Sequence, residues 1–361
     1  MLIFKSKGRS RLALAALLPA LACADAAKPA AAQAAPVAAQ AAPVTAHAVP
    51  AAAAAPVRGP AERIDMHVHL VEDATAELLA ALDRHGIAQA VVLASPHLDA
   101  AHPPPEGDDT FADWRAANER LLAQTSDHRD RLLPFVTLDP AQLEAGELEG
   151  WLGRGACGVK LYIGNHEMRR RPLADPSHDA LFTLLEQRRV PLLLHVNTFR
   201  FEDELGALLR AHPGLEMVCA HLCGARTDLD RLERILRTFP ALRVDTSHGA
   251  GQPGVEGFAN LERERERMRR LIHAEPGRFL FGTDLVTATV AGNREATRVD
   301  WDLQIAANVG LLTTGTFEFW RADERPGNLA IGTYEGLALD DAALASVLAG
   351  NARRWLAGCA R

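Results

Sequence analysis

The chain has 361 residues, 48% of them hydrophobic and 24% charged, so it is long enough to bury a large core and too apolar to be disordered throughout. Residues 1–60 hold six of the 39 Lys+Arg and one of the 46 Asp+Glu, which leaves 33 against 45, a balance of −12, on residues 61–361. An acidic body of that kind repels phosphate backbones and excludes nucleic acid as a natural partner. Five scattered cysteines with no CxxC pair predict neither a disulfide scaffold nor a structural zinc site.

The basic start, with Lys5, Lys7, Arg9 and Arg11, precedes an apolar run from Leu12 to Ala22 that is short for a membrane span. That pattern predicts a signal peptide over residues 1–23 and export, to the periplasm or envelope. Cleavage after Ala22 or Ala24 gives a plainly secreted protein. Leu21-Ala22-Cys23 leaves a second outcome open, a bacterial lipoprotein tethered to the membrane through a lipidated Cys23. From Ala24 to Val57, 19 alanines and five prolines fill 34 positions, with Pro29, Pro36, Pro43 and Pro50 seven residues apart. Proline at that interval forbids a continuous helix, so residues 24–60 are expected to be a disordered, partly extended Ala/Pro linker.

Residues 61–361 form the expected catalytic domain. Short apolar or β-branched runs alternate there with helix-like segments, and strands are predicted near 63–69, 87–94, 132–138, 156–163, 190–196, 215–222, 242–247 and 278–284. Eight such units predict an α/β fold, a (β/α)8 TIM barrel, in which functional residues gather at the carboxyl ends of the strands. The ionisable residues fall there: Asp65, His67 and His69 close the first strand, Lys160 the fourth, His195 the fifth, His221 the sixth and Asp284 the eighth. Alternation puts His67 and His69 on one face. Imidazoles with a carboxylate suit a divalent metal, zinc above all, that activates water, with Asp284 taking its proton.

The runs Ile64-Asp65-Met66-His67-Val68-His69, Pro191 to His195, Ala220-His221, Phe281-Gly282-Thr283-Asp284 and Gly350 to Arg354 together resemble the amidohydrolase superfamily, most closely its amidohydrolase-related branch of hydrolases and decarboxylases. The resemblance covers about residues 61–357. It implies that His67, His69, His195 and Asp284 bind the catalytic metal, while His221 binds a second metal or contacts substrate. It also implies an enzyme acting on a small molecule, a hydrolase of amide, ester or lactone bonds. Nonoxidative decarboxylation of an aromatic or unsaturated acid at a single-metal site is the alternative, and a non-catalytic metal- or solute-binding envelope protein is a further one. A homo-oligomer is left open.

Lys160 is the only lysine among residues 61–361, against 32 arginines. Where a bare positive charge suffices this chain uses arginine, so the amine itself is expected to matter. Three readings stand: a carboxylated lysine bridging two metals, as in two-metal members of the superfamily; an ammonium facing substrate beside one metal; or a structural ion pair. Asn197, Arg200, Arg226 and His248 follow strands five, six and seven and are expected substrate contacts, with Asn165, His166 and Glu167 as further candidates. Cys219, His221 and Cys223 read as one strand face too widely spaced to hold one ion, with Cys219 packed in the core. The alternating charges of Leu261 to Arg267 predict an ion-paired helix. Thr316 to Gly332, with Phe317, Phe319 and Trp320, reads as an insertion forming a lid, a dimer contact or a cover over the barrel.

Overall fold

The computed structural model describes residues 62–102, 111, 113–289, 293–322 and 329–359, all within the compact unit Val57–Arg361. The expected signal peptide, lipidated Cys23 and Ala/Pro linker lie outside the described residues. Among those described, no helix is long and apolar enough to cross a membrane.

Parallel strands run β1 (Arg63–His69), β2 (Ile87–Leu93), β3 (Leu132–Thr137), β4 (Gly158–Gly164), β5 (Leu192–Val196), β6 (Met217–Cys219), β7 (Arg243–Asp245), β8 (Phe279–Leu280) and β9 (Leu285–Val286), each hydrogen-bonded to its neighbour in chain order from β1 to β8. The eighth barrel stave is split. β8 pairs with β7 and β9 with β1, and the backbone bond from Met66 N to Phe281 O carries the closure across the gap. The result is a closed parallel barrel with flanking helices, the (β/α)8 arrangement. Sequence alternation explains the two apolar layers. Val68, Val92, Val136, Leu161, Leu194 and Val244 join the cluster under the helices. Ile64, Met66, Leu93, Phe135, Leu193 and Val218 form a second cluster that fills the barrel interior.

Alternation alone would send His67 to the face opposite Met66. A register shift in the β1–β2 ladder between Asp65 and Val68 adds one residue on the β1 side. This bulge re-aims the side chains that follow, so Met66 faces the lower core while His67 and His69 both face the mouth.

Four cysteines pair as Cys157–Cys359 and Cys219–Cys223, two bonds where no disulfide scaffold was expected, and Cys219 is buried in the core as expected. The second pair was missed because β6 is shorter than predicted. It ends at Cys219, and a turn in which His221, Leu222 and Cys223 have φ of 58°, 50° and 60° brings the two Cα atoms to 4.7 Å, within disulfide reach.

The charged run falls on the helices Gly251–Arg263 and Arg265–Ala274, where Arg267 pairs with Asp230 and Glu233, as an ion-paired surface requires. The late aromatic segment is an antiparallel hairpin, β10 (Thr316–Ala322) with β11 (Leu329–Glu335). Phe317, Phe319 and Tyr334 are buried, and all three pack around Phe258. Of the three roles expected for it, this is packing on the barrel's helices.

Candidate metal centre

Two groups of ligand atoms close to within 4.8 Å among the described residues: His67, His69 and Asp284, and His67, His221 and Asp245. In the second group Asp245 Oδ2 is engaged with His67 Nδ1 at 2.8 Å, so it orients a ring rather than facing an open centre. The first group is different. His67 Nε2 and His69 Nε2 lie 3.2 Å apart, and Asp284 Oδ1 is 3.2 Å from one and 3.0 Å from the other. Lys160 Nζ stands 3.2 Å from His67 Nε2.

The surroundings fix which nitrogens face inward. Burial would raise the Asp245 carboxyl, but the neighbouring His67 and the hydrogen bonds from His67 and Ser247 hold it below the ordinary carboxylate range. An ionised carboxylate only accepts, so His67 Nδ1 donates, and in the neutral ring Nε2 is the nitrogen with the lone pair. Asp245 Oδ1 accepts from His221 N at 2.8 Å and Ser247 Oγ at 2.6 Å, so one β7 carboxylate anchors both histidines. Ser95 Oγ meets His69 Nδ1 at 2.6 Å and Tyr162 Oη at 2.8 Å, while Tyr162 donates to Ala94 O. Two inward imidazole nitrogens and a carboxylate oxygen at these separations are the donor set a divalent ion takes.

Asp284 reaches this centre from the break between β8 and β9, with φ of 57°, a left-handed conformation that needs support. Asp65 supplies it by accepting from Thr283 N at 3.0 Å and Thr283 Oγ1 at 2.7 Å. Burial pushes the Asp65 carboxyl up to about 7, against those hydrogen bonds. Gln304 and Asn308, one helical turn apart on Arg294–Thr313, donate to the carbonyls of Asp284 and Thr283. Gly249 lies against the carboxylate, and a Cβ there would collide with Asp284 Oδ2. Gly249→Ala is therefore expected to weaken metal affinity by about 10- to 100-fold, the size found when a ligand's support is disturbed. Chelator competition measures it, and an unchanged dissociation constant would remove Asp284 from the centre.

The other predicted residues distribute unevenly. His221 arrives by its left-handed turn, stacks on His67 with ring centroids 4.8 Å apart and meets Ser247 Oγ at 2.9 Å; burial brings its imidazole down to about 3. His195 sits edge-on to His221 at 5.0 Å, outside both ligand groups, and burial followed by the nearby His221 holds it well below the usual histidine range. Burial lowers Lys160 to about 8. His248 stacks on Phe258 at 4.4 Å, with Nδ1 facing Thr246 O and Nε2 buried without a partner. Arg226 also keeps a buried Nη1 without a partner, beside the charges of Asp284 and Asp245. Asn197 Oδ1 instead accepts from the His166 backbone at 2.8 Å, Glu167 is bonded to Asn165, and Arg200 is exposed beside Phe199.

Asp245, Ser247, Ser95 and Tyr162 are absent from the sequence prediction. The first had a usable signal: β7 reads Arg243-Val244-Asp245, and the outward Val244 makes Asp245 inward at a strand end.

The amidohydrolase family model matches residues 64–357. Among solved structures, the chain is similar to a provisionally named 2-pyrone-4,6-dicarboxylic acid hydrolase from Pseudomonas putida, with 16% identity and a TM-score of 0.53 over 84% of this chain and 100% of that one. A zinc-bound amidohydrolase from Burkholderia multivorans follows at 14% identity and 0.52, over 82% and 99%. A 2,6-dihydroxybenzoate decarboxylase gives 16% and 0.50, again over 82% and 99%. At these identities the structures share the fold. No curated protein matches the sequence. Nearly the whole barrel is spanned by the family match, and the buried histidines and aspartate lie inside it, so the chain belongs to the amidohydrolase family and is a metal-dependent enzyme.

Proposed function

We propose that this protein is an exported hydrolase that adds water to an amide, ester or lactone carbonyl of a small molecule at a single zinc site. The observation that carries the reading is the convergence of His67 Nε2, His69 Nε2 and Asp284 Oδ1 within 3.2 Å of one another at the barrel mouth. His195, within electrostatic reach of the same residues, is the remaining donor in this proposal. A bound divalent ion supplies Lewis acidity and lowers the pKa of water from about 15.7 to about 7.

The chain's own residues do the rest. Asp245 keeps His67 in the tautomer that presents Nε2 inward, and Ser95 orients His69. Asp284 Oδ2, the oxygen turned toward His221 at 3.8 Å, accepts the proton leaving the attacking water. His221 contacts the substrate's reacting group. Arg226 Nη1, buried and unpartnered, donates to an anionic substituent on the β6–β7 side, while His248, whose Nδ1 donates to Thr246 O, offers its unpartnered Nε2 as an acceptor to a substrate hydroxyl or amide. Export is supported by the two disulfides, which persist in oxidising compartments; a tether through Cys23 belongs to the same proposal as its lipidated form.

The unpartnered Arg226 Nη1 also favours a second reading, since a carboxylate held beside the centre is what a decarboxylase needs. Metal analysis of the purified protein with a panel of esters, lactones, amides and aromatic acids separates the two: carbon dioxide release from the acids without carbonyl hydrolysis overturns the hydrolase.

Lys160 is assigned as a free amine beside one ion, because Asp245 is engaged by His67 and leaves no second open group of carboxylate and histidines among the described residues. One ion per chain, unchanged by added bicarbonate, is expected, and Lys160→Met should keep that ion while lowering kcat/KM by about 10- to 100-fold. Two ions, the second lost in the variant, would establish the carboxylated bridge instead.

A further inference from the structure

The segment Cys219-Ala220-His221-Leu222-Cys223 places His221 midway between two disulfide-bonded cysteines. In β6 the side chains alternate: Val218 and Ala220 belong to the interior cluster, and Cys219 to the layer under the helices. A strand continued for one more residue would turn His221 away from the mouth with Cys219. What turns it inward is the run of three residues with φ of 58°, 50° and 60°. None is glycine, and each such residue costs roughly 1–2 kcal/mol relative to ordinary backbone. A turn of this kind persists only where other contacts hold it. Asp245 accepts from His221 N at 2.8 Å at its start, and Thr198 Oγ1 donates to Cys223 O at 2.6 Å at its end. The disulfide joins the two ends covalently.

We infer that the Cys219–Cys223 disulfide is a positioning element for His221, so that His221 faces the metal centre only while the pair is oxidised. The inference rests on the proposed role of His221 at the site. Its chemistry is thiol–disulfide exchange with a dithiol: the Cys219–Cys223 bond breaks, both sulfurs gain a proton and an electron, and the dithiol closes to its own disulfide. The freed turn relaxes toward ordinary backbone and carries His221 off His67 and Ser247. The Cys157–Cys359 pair provides a matched control, because it joins the start of β4 to the chain's end, away from the mouth.

The test reads His221 directly. Diethyl pyrocarbonate acylates accessible neutral imidazoles, and peptide mapping reports each histidine. In the oxidised protein His221, buried against His67, is expected to be protected. In Cys219→Ser/Cys223→Ser its labelling should rise at least about tenfold, as local opening of a turn allows, and in Cys157→Ser/Cys359→Ser it should not. Should the first double variant fail to fold by circular dichroism, the parent protein treated with dithiol carries the decision, with the Cys157→Ser/Cys359→Ser protein reduced alongside so that only one disulfide changes. Equal protection of His221 with and without the disulfide would falsify the inference. Activity supplies a second readout: with metal content unchanged, Cys219→Ser/Cys223→Ser should lower kcat by about 100-fold, the size of a misplaced catalytic group. His221→Ala added to that background should cost little more, because the same group has already been lost; independent, multiplying losses would overturn the inference. If the parent turns over no substrate in the panel, the proposed function fails, and the labelling still decides the role of the disulfide.

Discussion

Asp284→Ala is expected to purify without its divalent ion and to lose at least about 1,000-fold in kcat/KM, equivalent to about 4 kcal/mol of transition-state stabilisation. The argument is geometric. Among the described residues Asp284 Oδ1 is the only anionic oxygen within 3.2 Å of both inward nitrogens, so its removal leaves two imidazoles facing a cation with no charge to balance it. His67→Ala and His69→Ala should behave alike, and His195→Ala should lose activity and metal if it is the remaining donor. Elemental analysis gives ions per chain. Thermal unfolding gives an independent check, since an ion at 100 times its dissociation constant stabilises the parent by about 2.7 kcal/mol and should do nothing for the variant. Secondary structure should survive, because these residues sit at the end of the barrel that serves chemistry rather than stability. Full metal content in Asp284→Ala would place the ion elsewhere.

Asp245→Asn should weaken metal binding by about 10- to 100-fold although Asp245 is assigned no bond to the ion. The carboxylate makes His67 donate from Nδ1 and so dictates that Nε2 is the free nitrogen. An amide can present either its oxygen or its NH2 group to the ring, and the NH2 orientation forces the other tautomer, with Nε2 protonated and useless as a ligand. Nitrogen NMR of the imidazole should show Nδ1–H alone in the parent and a mixture in the variant. The same substitution weakens the bond to His221 N, so kcat should fall even at saturating metal. Identical affinity and tautomer in both proteins would reduce Asp245 to packing.

Much of this was legible because parallel barrels impose a simple rule. Each strand's alternation and its carboxyl end are visible as an apolar run closed by a polar residue, and the predicted starts of β1 to β5 lie within two residues of those observed. Lys160 and the shared face of His67 and His69 follow from that rule, whereas the bulge that turns the two histidines to the mouth and the left-handed backbone of Asp284 do not. His221 was placed at the mouth as the close of the sixth run, but alternation along β6 would have sent it outward; a left-handed turn depends on tertiary support that no local pattern encodes. The Cys219–Cys223 disulfide was missed for the same reason, since a four-residue separation brings two cysteines together only after the chain bends, and Cys157 and Cys359, 202 residues apart, meet only in the folded barrel. The split of the last stave is equally non-local: it depends on Asp65, more than two hundred residues away, holding Thr283.

The distribution of cationic side chains has a consequence for titration. From residue 61 onward the positive charge is carried by 32 arginines and one lysine, and guanidinium keeps its proton throughout the working range. The four cysteines there are bonded in pairs, and burial raises both tyrosines, Tyr162 and Tyr334, above their usual 10. Lys160, brought down to about 8 by burial, then loses its charge well before an ordinary lysine as an alkaline titration of the ion-free protein proceeds. The sign for stability is equally specific. The folded amine releases its proton near 8 and the unfolded one near 10.5, so between those values the unfolded chain binds more protons and the folded state gains stability as pH rises.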